Sequence, residues 1–201
     1  MTSISIIYFS GSGVTDGVVK LVAAGTETIT AVHCHLLRLS PEHIVNGRWR
    51  HSETLDTLNA SDGIIFGSPT YMGSIASPFK AFMDTTSELW MPQRWKDKLA
   101  AGFTTSGSPA GDNLNSLIQM SIFAAQHGMI WIGQVELPGK YASGGSPDDA
   151  NRLGSFLGLA TQLTPGESLE LAPPGDHKTA KLFGQRIAEL TRIFQNGRVH
   201  I

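Results

Sequence analysis

The sequence predicts an α/β protein built on a doubly wound, five-stranded parallel sheet of order 2-1-3-4-5 with helices on both faces. Three observations lead there. Short β-branched and aromatic runs alternate with amphipathic helical stretches along the chain. The first and third strand runs are apolar almost throughout, as strands covered on both faces are. The glycine-rich polar loops follow strands 1, 3 and 4, which places them at one edge of the sheet. With 41% hydrophobic and 16% charged residues, a chain of 201 residues can bury one well-formed core, so a single domain over 1–201 is expected.

The elements follow in order. Ile4, Ile6, Ile7, Tyr8 and Phe9 form the first strand, and residues 14–24 read as the helix after it. Residues 29–39 give the second strand and 52–59 a short helix. The run GIIFG at 63–67, bounded by turn residues, is a buried third strand. Ser77 followed by Pro78 starts a helix, with the serine as N-cap and the proline at the first helical position. Phe79, Phe82 and Met83 lie on one face of it. Residues 99–104 make the fourth strand. Leu114, Leu117, Ile118, Ser121, Ile122 and Ala125 recur at helical spacing, and 129–135 is the fifth strand. Phe183, Ile187, Leu190 and Phe194 mark an amphipathic closing helix.

Residues 136–178 exceed a minimal five-strand domain. Pro138, Gly139, Gly144, Gly145, Pro147, Pro165, Gly166, Pro173, Pro174 and Gly175 surround the apolar patch NRLGSFLGLA. A segment this long is expected to cover a ligand site or to mediate oligomerisation.

Composition narrows the function. A net charge of −2 lacks the basic excess that phosphate-backbone binding needs, so no nucleic acid partner is expected. The single cysteine, Cys34, cannot form an intramolecular disulfide. The N-terminus lacks the basic flank and apolar core of a signal peptide, and no run approaches a membrane span. The expectation is a cytoplasmic protein without membrane insertion. His33, Cys34 and His35 alternate faces on a strand, and no metal is expected there.

The loop SGSGVT at 10–15 carries the chemistry. Ser10, Ser12 and Thr15 offer hydroxyls, while Gly11 and Gly13 let successive N–H groups turn toward an anion at the start of the helix at Val14. The Walker A spacing is absent, and the dinucleotide fingerprint fails because Gly17 stands one residue too late. With no Lys or Arg in the loop, hydroxyls and amides suit a phosphate monoester held in place. No G-x-S-x-G elbow surrounds the serines, which argues against a serine hydrolase.

Two further loops share this edge: Ser68 to Ser74, and Thr104 to Asp112. They can present amides and side chains to a flat heterocycle beside the phosphate, with Tyr71 and Trp90 available for stacking. A planar cofactor with one terminal phosphate is FMN.

The stretches DGIIFGSPTYMGSIASPFKAFMD, LWMPQRWKDKLAAGFTTSGSPAGD and AAQHGMIWIG resemble the flavodoxin-like FMN-binding quinone reductases, the WrbA-type NAD(P)H:quinone oxidoreductases and their NADPH-dependent FMN reductase relatives, over about residues 3–135. The resemblance implies that Ser10, Gly11, Ser12, Gly13, Val14 and Thr15 hold the FMN phosphate. By the same resemblance Pro69, Thr70, Tyr71, Met72 and Gly73, with Thr105, Ser106, Gly107, Ser108, Pro109, Ala110 and Gly111, border the isoalloxazine. It brings His127 to the flavin of a neighbouring subunit and sets Trp90, with Tyr71, where nicotinamide or quinone stacks.

The implied activity is hydride transfer from NAD(P)H through FMN to a quinone or similar acceptor, in a homodimer or homotetramer, with flavin N5 and no protein side chain or metal doing the chemistry. Ser12 stands where the WrbA-type loop has tyrosine, and Pro109 and Ala110 where it has glycines. The hydroxyl-rich first loop is closer to that of the electron-carrying flavodoxins. An electron carrier without its own NAD(P)H oxidation is therefore the alternative.

Overall fold

A computed structural model describes residues 1–139, 144–164 and 172–198. Strand β1 (Thr2–Tyr8) leads into helix α1 (Val14–Thr26), then β2 (Val32–Arg38). A 3-10 turn at Pro41–His43 precedes the small hairpin β3 (Ile44–Val45) and β4 (Arg48–Trp49). Helix α2 (Ser52–Ala60), β5 (Gly63–Tyr71), β6 (Ser74–Ile75), α3 (Ser77–Thr85) and the short α4 (Ser87–Trp90) follow. The chain continues through β7 (Leu99–Ser106), α5 (Asn113–Gln126), β8 (Ile130–Trp131), β9 (Leu159–Gln162) and α6 (Pro174–Arg198).

The main sheet runs β2-β1-β5-β7-β8, the expected doubly wound order, and all its main pairings are parallel. One face packs on α2, α3 and α5, through Phe66, Phe79, Phe82 and Phe123 with Trp49 and Trp95. Their rings meet edge to face, as Phe66 and Phe123 do at 5.3 Å between centroids. Each such pair contributes about 1 kcal/mol beyond area burial. The other face packs on α1 and α6 through Val18, Val19, Val22, Phe183 and Ile187. Trp49 and Trp95 are fully buried, so they belong to this core, their indole N–H groups donating to the Ser40 carbonyl and Asn59 Oδ1.

Three expectations are corrected. The fifth strand does not run unbroken over 129–135. β8 pairs only with Leu99 and Ala100, the chain leaves the sheet after Ile132, and β9 returns to pair in parallel with Phe103 to Ser106. The Trp131 indole, donating to the Leu157 carbonyl at 2.7 Å, ties the outgoing and returning segments together. The 136–178 segment thus contains a strand of the sheet and, from Pro174, the start of α6; its Pro165 and Gly166 lie outside the described residues.

The second correction concerns α3, where Ser77 is the first helical residue rather than the N-cap. Ala76 takes the cap position, and its N–H donates to Ser68 Oγ at 2.9 Å. Pro78 sits in the first turn as expected. Third, β5 runs past Gly67 to Tyr71, so half of the expected second loop is strand. No described helix is long and apolar enough to cross a membrane.

Candidate functional site

The first loop leaves the carboxyl end of β1, where the Phe9 N–H still donates to the Gly67 carbonyl at 3.0 Å. Ser10 and Thr15 are buried, and Gly11, Ser12 and Gly13 between them are exposed. Gly13 is the N-cap of α1 at φ 88°, a left-handed conformation that only glycine adopts without strain, and no side chain caps the helix from that position. Ser10 Oγ accepts the Asp16 N–H at 3.3 Å, while the Val14 and Thr15 amides have no intrahelical partner. Such an N-terminus seats an anion.

The second loop is a tight hairpin. β5 and β6 pair Thr70 with Ile75 and Tyr71 with Ser74, leaving Met72 and Gly73 at φ 48° and 77° as the two turn residues. Beneath it the Thr70, Thr104 and Ser116 hydroxyls are linked at 2.7 Å. The third loop leaves β7 after Ser106 and turns left-handed at Gly111 and Asp112, φ 48° and 54°, before α5. The Ser106 hydroxyl donates to the Ser108 carbonyl at 2.7 Å and the Asn113 N–H to the Ala110 carbonyl at 2.9 Å.

These loops form one continuous rim. A Cβ built on Gly11 would lie 2.8 Å from the Tyr71 hydroxyl, so the first and second loops touch. Asn115 Nδ2 donates to the Gly73 carbonyl at 2.6 Å, joining the second loop to the end of the third. From β9, Gln162 Nε2 donates to the Gly107 carbonyl at 3.2 Å. Thr105 and Thr161, paired across β7 and β9, each bury a hydroxyl with no hydrogen-bond partner among the described residues. A flat ligand with an anionic tail fits this donor set: uncapped amides and hydroxyls at one end, and unpaired polar groups beside them.

The sequence reading missed Arg38. It ends β2 directly opposite Tyr8, and its guanidinium donates to the Ser10 carbonyl at 3.0 Å and lies 3.6 Å from Asp16. The Tyr8 hydroxyl donates to the same Asp16 carboxylate at 3.0 Å. Burial, then that hydrogen bond, pushes the Tyr8 phenol up to about 12. The signal available was positional: the last residue of the strand neighbouring the first loop.

Trp90 and His127 stand elsewhere. His127 is the C-cap of α5, at the opposite end of the sheet from the three loops, and shares with Trp90 a cavity of about 350 Å³. Tyr71 lines a different cavity, of about 660 Å³, between α3 and the β3–β4 hairpin. The chain's own rim therefore includes the expected residues of all three loops and neither Trp90 nor His127.

His127 is buried against Trp95 and Phe123. The Thr86 hydroxyl donates to the Met83 carbonyl at 2.8 Å, so its oxygen accepts from His127 Nε2 at 2.9 Å, and Nδ1 keeps a lone pair without a partner among the described residues. Burial lowers the imidazole to about 4. No cluster of three or more His, Cys, Asp or Glu suited to a metal exists among the described residues.

The sheet order, with the three loops at its carboxyl edge, defines a flavodoxin-like α/β protein. The sequence model of the NADPH-dependent FMN reductase family matches residues 4–142, and the chain belongs to that family. It is 36% identical over 191 residues to "Flavodoxin FldP" of Pseudomonas aeruginosa, covering 94% of this chain and 97% of that one. It is 32% identical over 206 residues to an "NAD(P)H dehydrogenase (quinone)" of Archaeoglobus fulgidus, again covering 94% and 97%. Among solved structures, a "flavodoxin, WrbA-like protein" from Agrobacterium tumefaciens superposes with a TM-score of 0.72 at 31% identity, covering 96% of this chain and 99% of that one.

Proposed function

We propose that the protein binds FMN in the three-loop rim and passes hydride from NAD(P)H to a quinone or similar small acceptor. The observation that carries this reading is the left-handed N-terminus of α1, its Val14 and Thr15 amides without an intrahelical partner, in contact through Gly11 and Tyr71 with the second loop. Membership of the NADPH-dependent FMN reductase family and the likeness to the Archaeoglobus quinone dehydrogenase support it.

FMN, when bound, supplies the redox chemistry, taking a hydride and giving up two electrons. The chain does the rest. The Val14 and Thr15 amides and the Ser10, Ser12 and Thr15 hydroxyls hold the phosphate. Pro69, Thr70, Tyr71, Met72 and Gly73 form one border of the ring, and residues Thr105 to Gly111 the other, with the Thr105 hydroxyl free to bond it. The exposed tip at Met72 leaves one side open to donor and acceptor. No protein nucleophile or metal is needed.

Trp90 and His127 serve the site of a neighbouring subunit in a homodimer or homotetramer. Leu114, Ile118 and Ile122 support such an assembly, since they are exposed at four-residue intervals along α5 and leave an apolar stripe. Leu153 and Phe156, which line a cavity with Leu114, then lie beside that interface.

A second reading is favoured by the Pseudomonas flavodoxin at 36% identity and by the hydroxyl-rich first loop: an FMN electron carrier reduced by a partner. Both readings require FMN. Fluorescence titration of flavin-free protein tests this, with saturable one-to-one quenching expected. Protein that leaves FMN unquenched and remains colourless after reconstitution contradicts both.

A further inference from the structure

Beside the first loop lies one charge that works against a bound anion. Asp16 is the third residue of α1, and a carboxylate in the first turn competes with any ligand anion for the same helix N-terminus. The loop itself has no cation to offset it. Two groups from other strands engage that carboxylate. The Tyr8 hydroxyl of β1 donates to Oδ1 at 3.0 Å, and Arg38 Nε of β2 lies 3.6 Å from the same oxygen. The same guanidinium donates through Nη2 to the Ser10 carbonyl at 3.0 Å, so it spans the carboxylate and the first residue of the anion seat. Tyr8 and Arg38 are cross-strand partners, which makes the arrangement a consequence of the β1–β2 register.

We propose that Arg38 is the charge-compensating and positioning residue for the FMN phosphate: with Tyr8 it neutralises Asp16, so that a loop of hydroxyls and amides accepts a dianion. The inference rests on the FMN reading above. The Tyr8 phenol, held up near 12, stays protonated and remains a donor to Asp16 throughout the physiological range. Without Arg38 the carboxylate faces the phosphate uncompensated, and the repulsion touches only ligands that carry the phosphate. Preference for FMN over riboflavin then depends on a residue more than twenty positions beyond the loop.

The test is fluorescence titration of flavin-free protein with FMN and with riboflavin, using wild type, Arg38→Gln, Asp16→Asn and the double variant. Arg38→Gln is expected to weaken FMN about tenfold and to leave riboflavin within about twofold. Asp16→Asn, which keeps an acceptor for Tyr8, binds FMN at least as tightly as wild type. Adding it to Arg38→Gln restores FMN affinity to within about threefold of wild type. A double variant as weak as Arg38→Gln, or equal losses for FMN and riboflavin, overturns the inference, because bracing of the loop alone would then explain the effect.

Salt dependence gives a second measurement that needs no variant. Wild-type affinity for FMN falls with added NaCl while that for riboflavin does not; parallel behaviour overturns the inference. Wild type that holds no FMN brings down the cofactor reading as well. FMN held equally by wild type and Arg38→Gln brings down this inference alone.

Discussion

The Tyr71 hydroxyl stands against Gly11 so closely that a Cβ there would lie 2.8 Å from it, and through this contact the first and second loops form one rim. The oxygen is the far end of a half-exposed side chain, which can move at small cost to the fold. Gly11→Ala is therefore expected to change the urea midpoint little and to weaken FMN by about tenfold, by displacing Tyr71. Tyr71→Phe in the same background removes the colliding oxygen and recovers most of the affinity. A fluorescence titration of the two variants checks this.

Thr105 carries a buried hydroxyl with no partner among the described residues. An unsatisfied buried polar group costs about 1–3 kcal/mol, so Thr105→Val is expected to leave the flavin-free protein as stable or more stable. If the hydroxyl is kept for the ligand, the same variant binds FMN more weakly. Opposite signs in thermal unfolding without FMN and in FMN affinity are the expected outcome.

Helices α1 and α6 cross through reciprocal glycines. A Cβ on Gly184 would strike the Val22 carbonyl, and one on Gly25 the Lys181 carbonyl. Both obstacles are backbone and cannot swing aside. Gly184→Ala should destabilise by about 3 kcal/mol, since overpacking a tight core costs this order. Urea unfolding of the variant measures it, and a loss under 1 kcal/mol would mean that the helices separate easily.

His127 links pH to stability. Its imidazole is lowered to about 4 in the fold, against about 6.5 in the unfolded chain. Between those values the unfolded state binds more protons, so stability is full above about pH 6.5 and declines as pH falls toward 4. His127→Gln should flatten this part of the pH profile while keeping a donor for Thr86. Urea midpoints between pH 4 and 7 for the two proteins test it.

Much of the architecture was legible because the first and third strands are contiguous apolar runs and the main helices periodic ones. Ile4 to Tyr8 and the GIIFG run are strand where the pattern places them, and Phe79 and Phe82 face the core. The fifth strand was not legible. Ile130, Trp131 and Leu159 to Gln162 occupy one place in the sheet from two places in the sequence, and only the register against β7 joins them. The Ser77 cap was misread because Ser68, eight residues before Ala76, accepts its N–H.

At the candidate site the loops were visible as Gly, Ser and Thr clusters, while the Asp16–Arg38 relationship depends on pairing between strands. The Tyr71 and Trp90 rings, both suited to stacking, line separate cavities because α3 stands between them.

The central claim is tested most directly by anaerobic stopped-flow mixing of the FMN-reconstituted protein with NADPH and with NADH. The account predicts rapid bleaching of the oxidised flavin band by at least one of them, followed by recovery of the band on adding a quinone. A band that neither nucleotide changes, and that dithionite bleaches, would contradict it and leave the electron-carrier reading in its place.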